Sequence, residues 1–123
     1  MKVRPSKDLK SAKAKAIKYF NAFIRERDKD NLCITCGKRS VSDAGHFISC
    51  SFEATRFDER NVHGQCAHCN RYLYGSQYEH SIELDKIHGK GTAESLYLKS
   101  KMFCKRNKFD YENIAQTFKD KLK

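Results

Sequence analysis

Three features of this sequence predict an α+β fold. Apolar residues recur at helical spacing toward both ends, two short runs of β-formers lie in the middle, and two Cys-x-x-Cys pairs bracket those runs. The expected architecture is a small β-hairpin-plus-helix core, clasped through its four cysteines, with helices before and after it. At 123 residues the chain is read as a single domain in three parts. These are a basic N-terminal helix over 1–29, a knuckled core over 30–75 and C-terminal helices over 76–123.

Ser6 is placed to cap the first helix, with Asp8 in its first turn. Ala12, Ala16, Tyr19, Phe20 and Phe23 recur at helical spacing beside Ile17 and Ile24, and the helix should run to about Asp28. Its apolar residues gather toward the C-terminal end, so that end should pack while Lys10, Lys13, Lys15 and Lys18 stay available to phosphate. Asn31 to Gly37 reads as a knuckle whose tight turn needs Gly37. Residues 44–50 read as a strand entering at His46, and residues 61–65 as a second extended segment. A helix should start after Cys66, carry Asn70, Arg71 and Tyr74, and stop at Gly75. Ser76 to Glu79 has the capping-box pattern and should open a helix ending near Gly89. Gly89-Lys90-Gly91 is a turn. Thr92 is placed to cap a helix carrying Leu96, Tyr97 and Met102, and Asp110 to cap a last one with Ile114, Phe118 and Leu122 on one face.

Only 39% of residues are hydrophobic and there is no Trp, so the core is modest and a structural metal would support it. No apolar run is long enough to cross a bilayer, so no membrane partner is expected. The N-terminus lacks the apolar stretch of a secretory signal, and a cytoplasmic location is expected. In that compartment six cysteines point to metal rather than disulfides. Cys33, Cys36, Cys66 and Cys69 supply the four thiolates of a closed structural zinc site, one Zn2+ per chain. A redox-active pair would need a βαβ setting, which is absent. Closed four-thiolate zinc has no open position for substrate, so any reaction falls to other residues. The 29-residue span between the pairs is the place to look.

The net charge of +10 is unevenly spread. Residues 1–29 hold ten Lys and Arg against three acids, residues 86–123 ten against four, and residues 30–85 five against eight. Lysine-rich helices are often plain soluble faces. Two basic arms around an acidic centre instead suit a phosphate backbone outside and a divalent cation within, which favours nucleic acid. His46 is the candidate general base, since imidazole can take a proton from water near neutral pH. Alone it would be read as a structural histidine of a hairpin; the knuckles bring it beside Asn61 and Asn70, which favours chemistry.

Cys33-x-x-Cys36, then Gly45-His46, then Asn61-Val-His-Gly-Gln-Cys66-Ala-His-Cys69-Asn70 resembles the zinc-knuckled HNH, or ββα-metal, endonucleases. More closely, the chain resembles the NinG (Rap) recombination nucleases of lambdoid phages. The likeness runs through Asn21-Ala-Phe-Ile-Arg-Glu-Arg-Asp28, Asp43-Ala-Gly-His46, Arg56-Phe57, Glu59-Arg60-Asn61 and His63, and covers about residues 15–90. Members of that family can carry a further cysteine-containing segment ahead of where this sequence starts. The resemblance implies a ββα-metal core and a structure-specific endonuclease in the phage-infected or prophage-bearing host. Its substrates would be branched recombination intermediates, D-loops and Holliday junctions. It implies that His46 activates water, that Asn61 orients His46, and that Asn70 helps hold a catalytic Mg2+ or Mn2+.

One position departs from that pattern. The wider fold often has Asp or His directly before the base, and here stands Gly45. Asp43 is the nearest acid and the preferred metal ligand, with Asp58, Glu59 and His63 as alternatives; oxygen donors suit such hard ions. His63 is a further candidate active-site residue, sharing the face of Asn61 if the segment is extended. Arg56, Arg60 and Arg71 are candidate phosphate clamps, with ion pairs to Asp58 or Glu59 as the plainer role. Lys10 and Lys13 are candidate DNA contacts. His68, His80 and His88 are expected to face solvent, and Cys50 and Cys104 to be plain thiols. Tyr72, Tyr74 and Tyr78 are expected to pack in a core or interface, with stacking on unpaired bases as the alternative. A zinc-stabilised DNA-binding module without catalysis, and a sequence-specific HNH nuclease, remain alternative readings. Cutting a junction symmetrically needs two active sites, which a homodimer would supply.

Overall fold

The computed structural model describes residues 6–123. In chain order the elements are α1 (Lys7–Asp28), β1 (Asp43–His46), α2 (Glu53–Arg56), β2 (Val62–Gln65), α3 (Gln77–His88), α4 (Thr92–Ser100) and α5 (Lys108–Lys121). A 3-10 turn at Glu59–Asn61 leads into β2, and a π-type turn at His68–Tyr72 follows the second cysteine pair. Contacts divide the chain into two compact units, Ile24–Cys104 and the flanking residues up to Phe23 and from Lys105. The last turn of α1 falls in the unit of the hairpin, and the rest of α1 falls in the unit of α5. No described helix is long and apolar enough to cross a membrane.

In the flanking unit, α1 starts as the sequence predicts: the Leu9 amide donates to Ser6 Oγ at 3.1 Å. Ala12, Ala16 and Phe20 form a buried stripe at intervals of four. Tyr111, Ala115 and Phe118 form the matching buried stripe of α5. Phe118 meets Phe20 edge-on at 4.8 Å and Phe23 at 5.2 Å between ring centroids. The early part of α1 is therefore packed through its alanines rather than free along its length; their small size hid that face in the sequence. The α5 cap is Asn107, not Asp110. Asn107 Oδ1 accepts from the Asp110 amide at 2.9 Å, and Asp110 Oδ2 accepts from the Asn107 amide at 2.8 Å. This reciprocal box starts the helix three residues earlier than Asp110 would.

The other unit is organised by an antiparallel pair in which Asp43 faces Gln65, Ala44 Gly64, Gly45 His63, and His46 Val62. His46 ends β1 rather than entering a strand over 44–50. Beyond it the Phe47 amide donates to the Asn61 carbonyl at 2.8 Å and Phe47 turns into the core with Leu84 and Leu96. The end of α1 is fastened to β2 by two adjacent residues. Arg27 donates to the Glu59 carbonyl at 3.1 Å and the Val62 carbonyl at 2.7 Å, and Asp28 Oδ2 accepts from the Gly64 amide at 2.7 Å. Arg27 and Asp28 also pair with each other at 2.8 Å.

Caps in this unit differ from those expected. Ser76 has φ +48° and makes no side-chain cap to α3; the turn before α3 sets its start instead. Gly91, at φ +92°, precedes α4, while Thr92 Oγ1 donates back to the Gly89 carbonyl at 2.7 Å. The turn after Cys66 closes at Tyr72, so Tyr74 lies outside it.

Gly64 is required by close approach. A Cβ there would lie 2.6 and 2.7 Å from the two γ-carbons of Val41 and 3.0 Å from Asp28 Cβ. Gly64→Ala should therefore lower the unfolding free energy by about 1–3 kcal/mol, the usual cost of overpacking, read from the denaturant midpoint. An unchanged midpoint would mean that Val41 moves aside without cost.

Candidate functional site

The two cysteine pairs meet. The four Sγ atoms of Cys33, Cys36, Cys66 and Cys69 all lie within 4.8 Å of one another, and Cys36 and Cys66 approach to 4.0 Å. A zinc ion with bonds of about 2.3 Å to each sulfur spaces them about 3.8 Å apart, so the cluster fits one ion after slight contraction. Cys33, Cys66 and Cys69 are buried and Cys36 is half-buried. Burial raises the thiol pKa of Cys33, but the Thr35 hydroxyl at 3.3 Å and surrounding backbone amides outweigh it and bring the value down to about 6. Cys69 is pushed up to about 12 by burial and by its sulfur neighbours. Four thiols this close cannot all ionise without a cation among them.

Gln65 ties the hairpin to this cluster. Its Nε2 donates to Thr35 Oγ1 at 3.1 Å and to the Gly75 carbonyl at 3.0 Å, which leaves the Thr35 hydrogen to serve Cys33. The same side chain explains Gly45. A Cβ on Gly45 would fall 1.8 Å from Gln65 Oε1 and 2.6 Å from its Cδ, so the space beside the position before His46 is filled from the opposite strand.

His46 is half-buried, and its Nε2 lies 3.1 Å from the Arg56 carbonyl. A carbonyl can only accept, so Nε2 carries the proton and Nδ1 is the basic nitrogen. Burial lowers the His46 pKa, which keeps the ring neutral at physiological pH. Asn61, fully buried, acts on the same loop. Its Oδ1 accepts from the Ile48 amide at 2.7 Å, and its Nδ2 donates to the Ile48 and Thr55 carbonyls, each at 3.1 Å. Asn61 thus holds the backbone next to Arg56, whose carbonyl holds His46; its influence on the histidine passes through the loop.

Asp43 and Asn70, 27 positions apart, are brought together: Asn70 Nδ2 donates to Asp43 Oδ2 at 2.9 Å. Arg71 adds a two-point pair to both Asp43 oxygens at 3.0 Å each, and Ser42 Oγ donates at 3.1 Å. Burial would raise the Asp43 pKa; these donors more than offset it and hold the carboxylate below its usual range. Asp43 and His46 sit at opposite ends of β1, about 10 Å apart along the strand, and alternation turns their side chains to opposite faces.

The remaining candidates separate. Arg60 pairs with Asp58 at 3.2 Å, and Lys99 joins it at 2.7 Å, so Arg60 takes the plainer role. Arg56 donates from Nη1 to the Cys50 carbonyl at 2.8 Å. Lys13 lies over the Tyr111 ring at 5.8 Å, and Lys10 is exposed. His63 does not share a face with Asn61, which sits in the 3-10 turn. Instead His63 Nε2 meets His88 Nε2 at 2.9 Å and its ring lies 5.9 Å from that of His80. His80, expected at the surface, is fully buried on the inner side of α3 against Phe47. Burial drives the pKa of His63 down to about 3 and that of His80 to about 4. The Arg27–Asp28 staple, Gln65 and the His63–His88 pair escaped sequence reasoning, because each depends on pairing register.

A family model described as Bacteriophage Lambda NinG protein matches residues 1–123. The chain is 34% identical over 109 residues to protein NinG of Salmonella phage P22, covering 81% of this chain and 54% of that protein. It is 46% identical over 67 residues to protein NinG of Escherichia phage 933W, and 45% over 67 residues to that of Escherichia phage lambda, covering 52% of this chain and 33% of each relative. The chain thus spans from a third to about half of the length of these relatives. No solved structure matches it.

Elemental analysis of purified protein should find one zinc per chain, and Cys66→Ser should lose both the metal and most of the stability. A folded, metal-free wild type would overturn the clasp. The histidines predict a pH dependence. Their folded pKa values lie below the ordinary 6.5, so the unfolded chain binds protons that the folded chain cannot. Stability should fall as pH drops from about 6.5 toward 4, with depressed carboxylates such as Asp28 and Asp58 adding to the loss at lower pH. His80→Leu should flatten the upper part of that slope in denaturant melts; an unchanged slope would assign the dependence to other groups.

Proposed function

Because the chain belongs to the NinG family of bacteriophage proteins, we propose that it is a metal-dependent endonuclease that cuts branched DNA during phage recombination. In this reading the hairpin and the turns around it are an HNH-like core, and the four cysteines hold a structural zinc. The observation that carries the reading is the state of His46. A half-buried imidazole, neutral at physiological pH, has its tautomer fixed by a backbone carbonyl so that Nδ1 is the base.

His46 Nδ1 takes the proton of the attacking water. Asn61 keeps the loop, and with it the Arg56 carbonyl, in the geometry that orients the ring. Asp43 and the amide oxygen of Asn70 are the oxygen donors that would hold Mg2+ or Mn2+; lying about 10 Å from His46 along β1 and on its other face, that ion would neutralise a neighbouring phosphate rather than the one attacked. For that role Asn70 turns its amide, and Arg71 releases Asp43 to the ion and takes a phosphate oxygen in its place. Lys10, Lys13 and the other lysines of the flanking helices contact the duplex arms through phosphate, a recognition of shape rather than sequence. The chain would act in the cytoplasm of the infected host, and a homodimer would place two sites on one junction.

One observation favours a non-catalytic DNA-binding module instead: the Asp43 carboxylate is already saturated by Arg71, Asn70 and Ser42. Cleavage separates the two readings. With Mg2+ or Mn2+ the protein should nick four-way junctions and D-loops in preference to linear duplex. His46→Ala should lower the cutting rate by about 100-fold or more while binding is retained. Binding to every branched substrate with no cleavage in either metal would leave the binding module and sink the nuclease.

A further inference from the structure

The turn between the second cysteine pair and α3 exposes side chains that neither the metal clasp nor the hairpin uses. Tyr72, Leu73 and Tyr74 follow one another at 74%, 49% and 86% exposure, and Tyr78 on the first turn of α3 is 75% exposed. These tyrosines do not pack in the core of the chain, which leaves an interface or the faces of unpaired bases as their expected partners. Consecutive large apolar side chains held in water mark a surface that meets something. The backbone is also unusual. Tyr74 and Ser76 both adopt the left-handed region, at φ +52° and +48°, where a bulky side chain is strained.

That strain is held by anchors on both sides. The Leu73 amide donates to the His68 carbonyl at 3.0 Å, the Gly75 amide to the Cys69 carbonyl at 2.9 Å, and the Gly75 carbonyl accepts from Gln65 at 3.0 Å. Gly75 itself lies against β1: a Cβ there would come within 3.6 Å of the His46 carbonyl oxygen. The turn is thus a rigid step beside the strand end that carries His46, with its rings pointed outward. His68 and Tyr72 already lie 6.0 Å apart at 31°, a partly formed aromatic platform.

We propose that Tyr72 and Tyr74 form a wedge that stacks on unpaired bases at a DNA branch point, next to the phosphate to be cut. The choice of branched DNA rests on the nuclease reading above. A nucleobase is the occupant that fits consecutive exposed rings with the cation Arg71, itself largely exposed, directly before the first of them. Duplex arms hide the faces of their bases and a branch point exposes them, so the same rings discriminate branched from linear DNA. Stacking accepts any base, in keeping with recognition of shape.

The test uses the full chain in Ca2+ with four-way junctions carrying 2-aminopurine either at the branch point or within an arm. Wild type should change the fluorescence of the branch-point probe and leave the arm probe unchanged. The Tyr72→Ala/Tyr74→Ala double variant should lose that change and bind the junction at least about 10-fold more weakly, with linear-duplex affinity unaltered. Tyr72→Phe/Tyr74→Phe should restore both, which separates stacking from loss of fold. If wild type cuts junctions in Mg2+ and the alanine variant still gives the branch-point signal and affinity, the wedge is wrong and the nuclease stands. If wild type neither binds nor cuts branched DNA, both fall. If the alanine variant changes self-association by light scattering and not the fluorescence, the tyrosines are a protein-docking face and the wedge is wrong.

Discussion

The convergence of four thiols from segments 30 positions apart is the constraint on which the rest of the central unit depends. A hairpin of two four-residue strands buries too little to persist alone in water. Here it is gripped from three directions. The second cysteine pair continues directly from β2. Gln65 reaches from β2 through Thr35 to the first pair. On the opposite flank Arg27 and Asp28 bind the β2 backbone from the end of α1. Bringing distant segments together costs chain entropy that rises only slowly with loop length, so a single ion can offset the closure of a long span. The closed span is where His46, Asn61 and Asp43 lie.

The electrostatics of the site follow from that closure. Burial lowers the pKa of His46, while hydrogen bonds overcome burial to lower that of Asp43. Two different causes thus yield one neutral imidazole and one ionised carboxylate at the same pH. His63 on β2 and His80 on α3 go the same way as His46, chiefly by burial, with repulsion from Arg27 and from neighbouring imidazoles adding to it. Their burial marks where water is excluded, and the contrast with the exposed tyrosine turn marks where it is not.

Much of this was legible in the sequence, and the pattern of misses is physical. The cysteine pairs, the two strands and every helix of ordinary length could be read, because metal-ligand spacing and hydrophobic period are local signals. The α1 stop at Asp28 and the α3 end at Gly89 fell where expected. Caps were less legible. Ser76, Thr92 and Asp110 each have the right chemistry, but the backbone before them decides, and Asn107 outcompetes Asp110 from three residues away. The burial of His80 and the exposure of Tyr72 and Tyr74 could not be read, because which face of a short helix or turn looks inward depends on the hairpin it meets. Asp43 and Asn70 were named separately as ligands; that Arg71 closes on the same carboxylate is a property of three-dimensional placement.

Gly45 and Gln65 illustrate a consequence for how such a chain can change over generations. The amide of Gln65 occupies the volume that any side chain at 45 would need, and the same amide ties the hairpin to the first cysteine pair. A side chain at 45 calls for a change at 65. A lineage that placed an acid before the histidine would first have to shorten residue 65 and find another tether for Thr35. The two sites should therefore covary among descendants, a side chain at 45 appearing only with a shorter residue at 65.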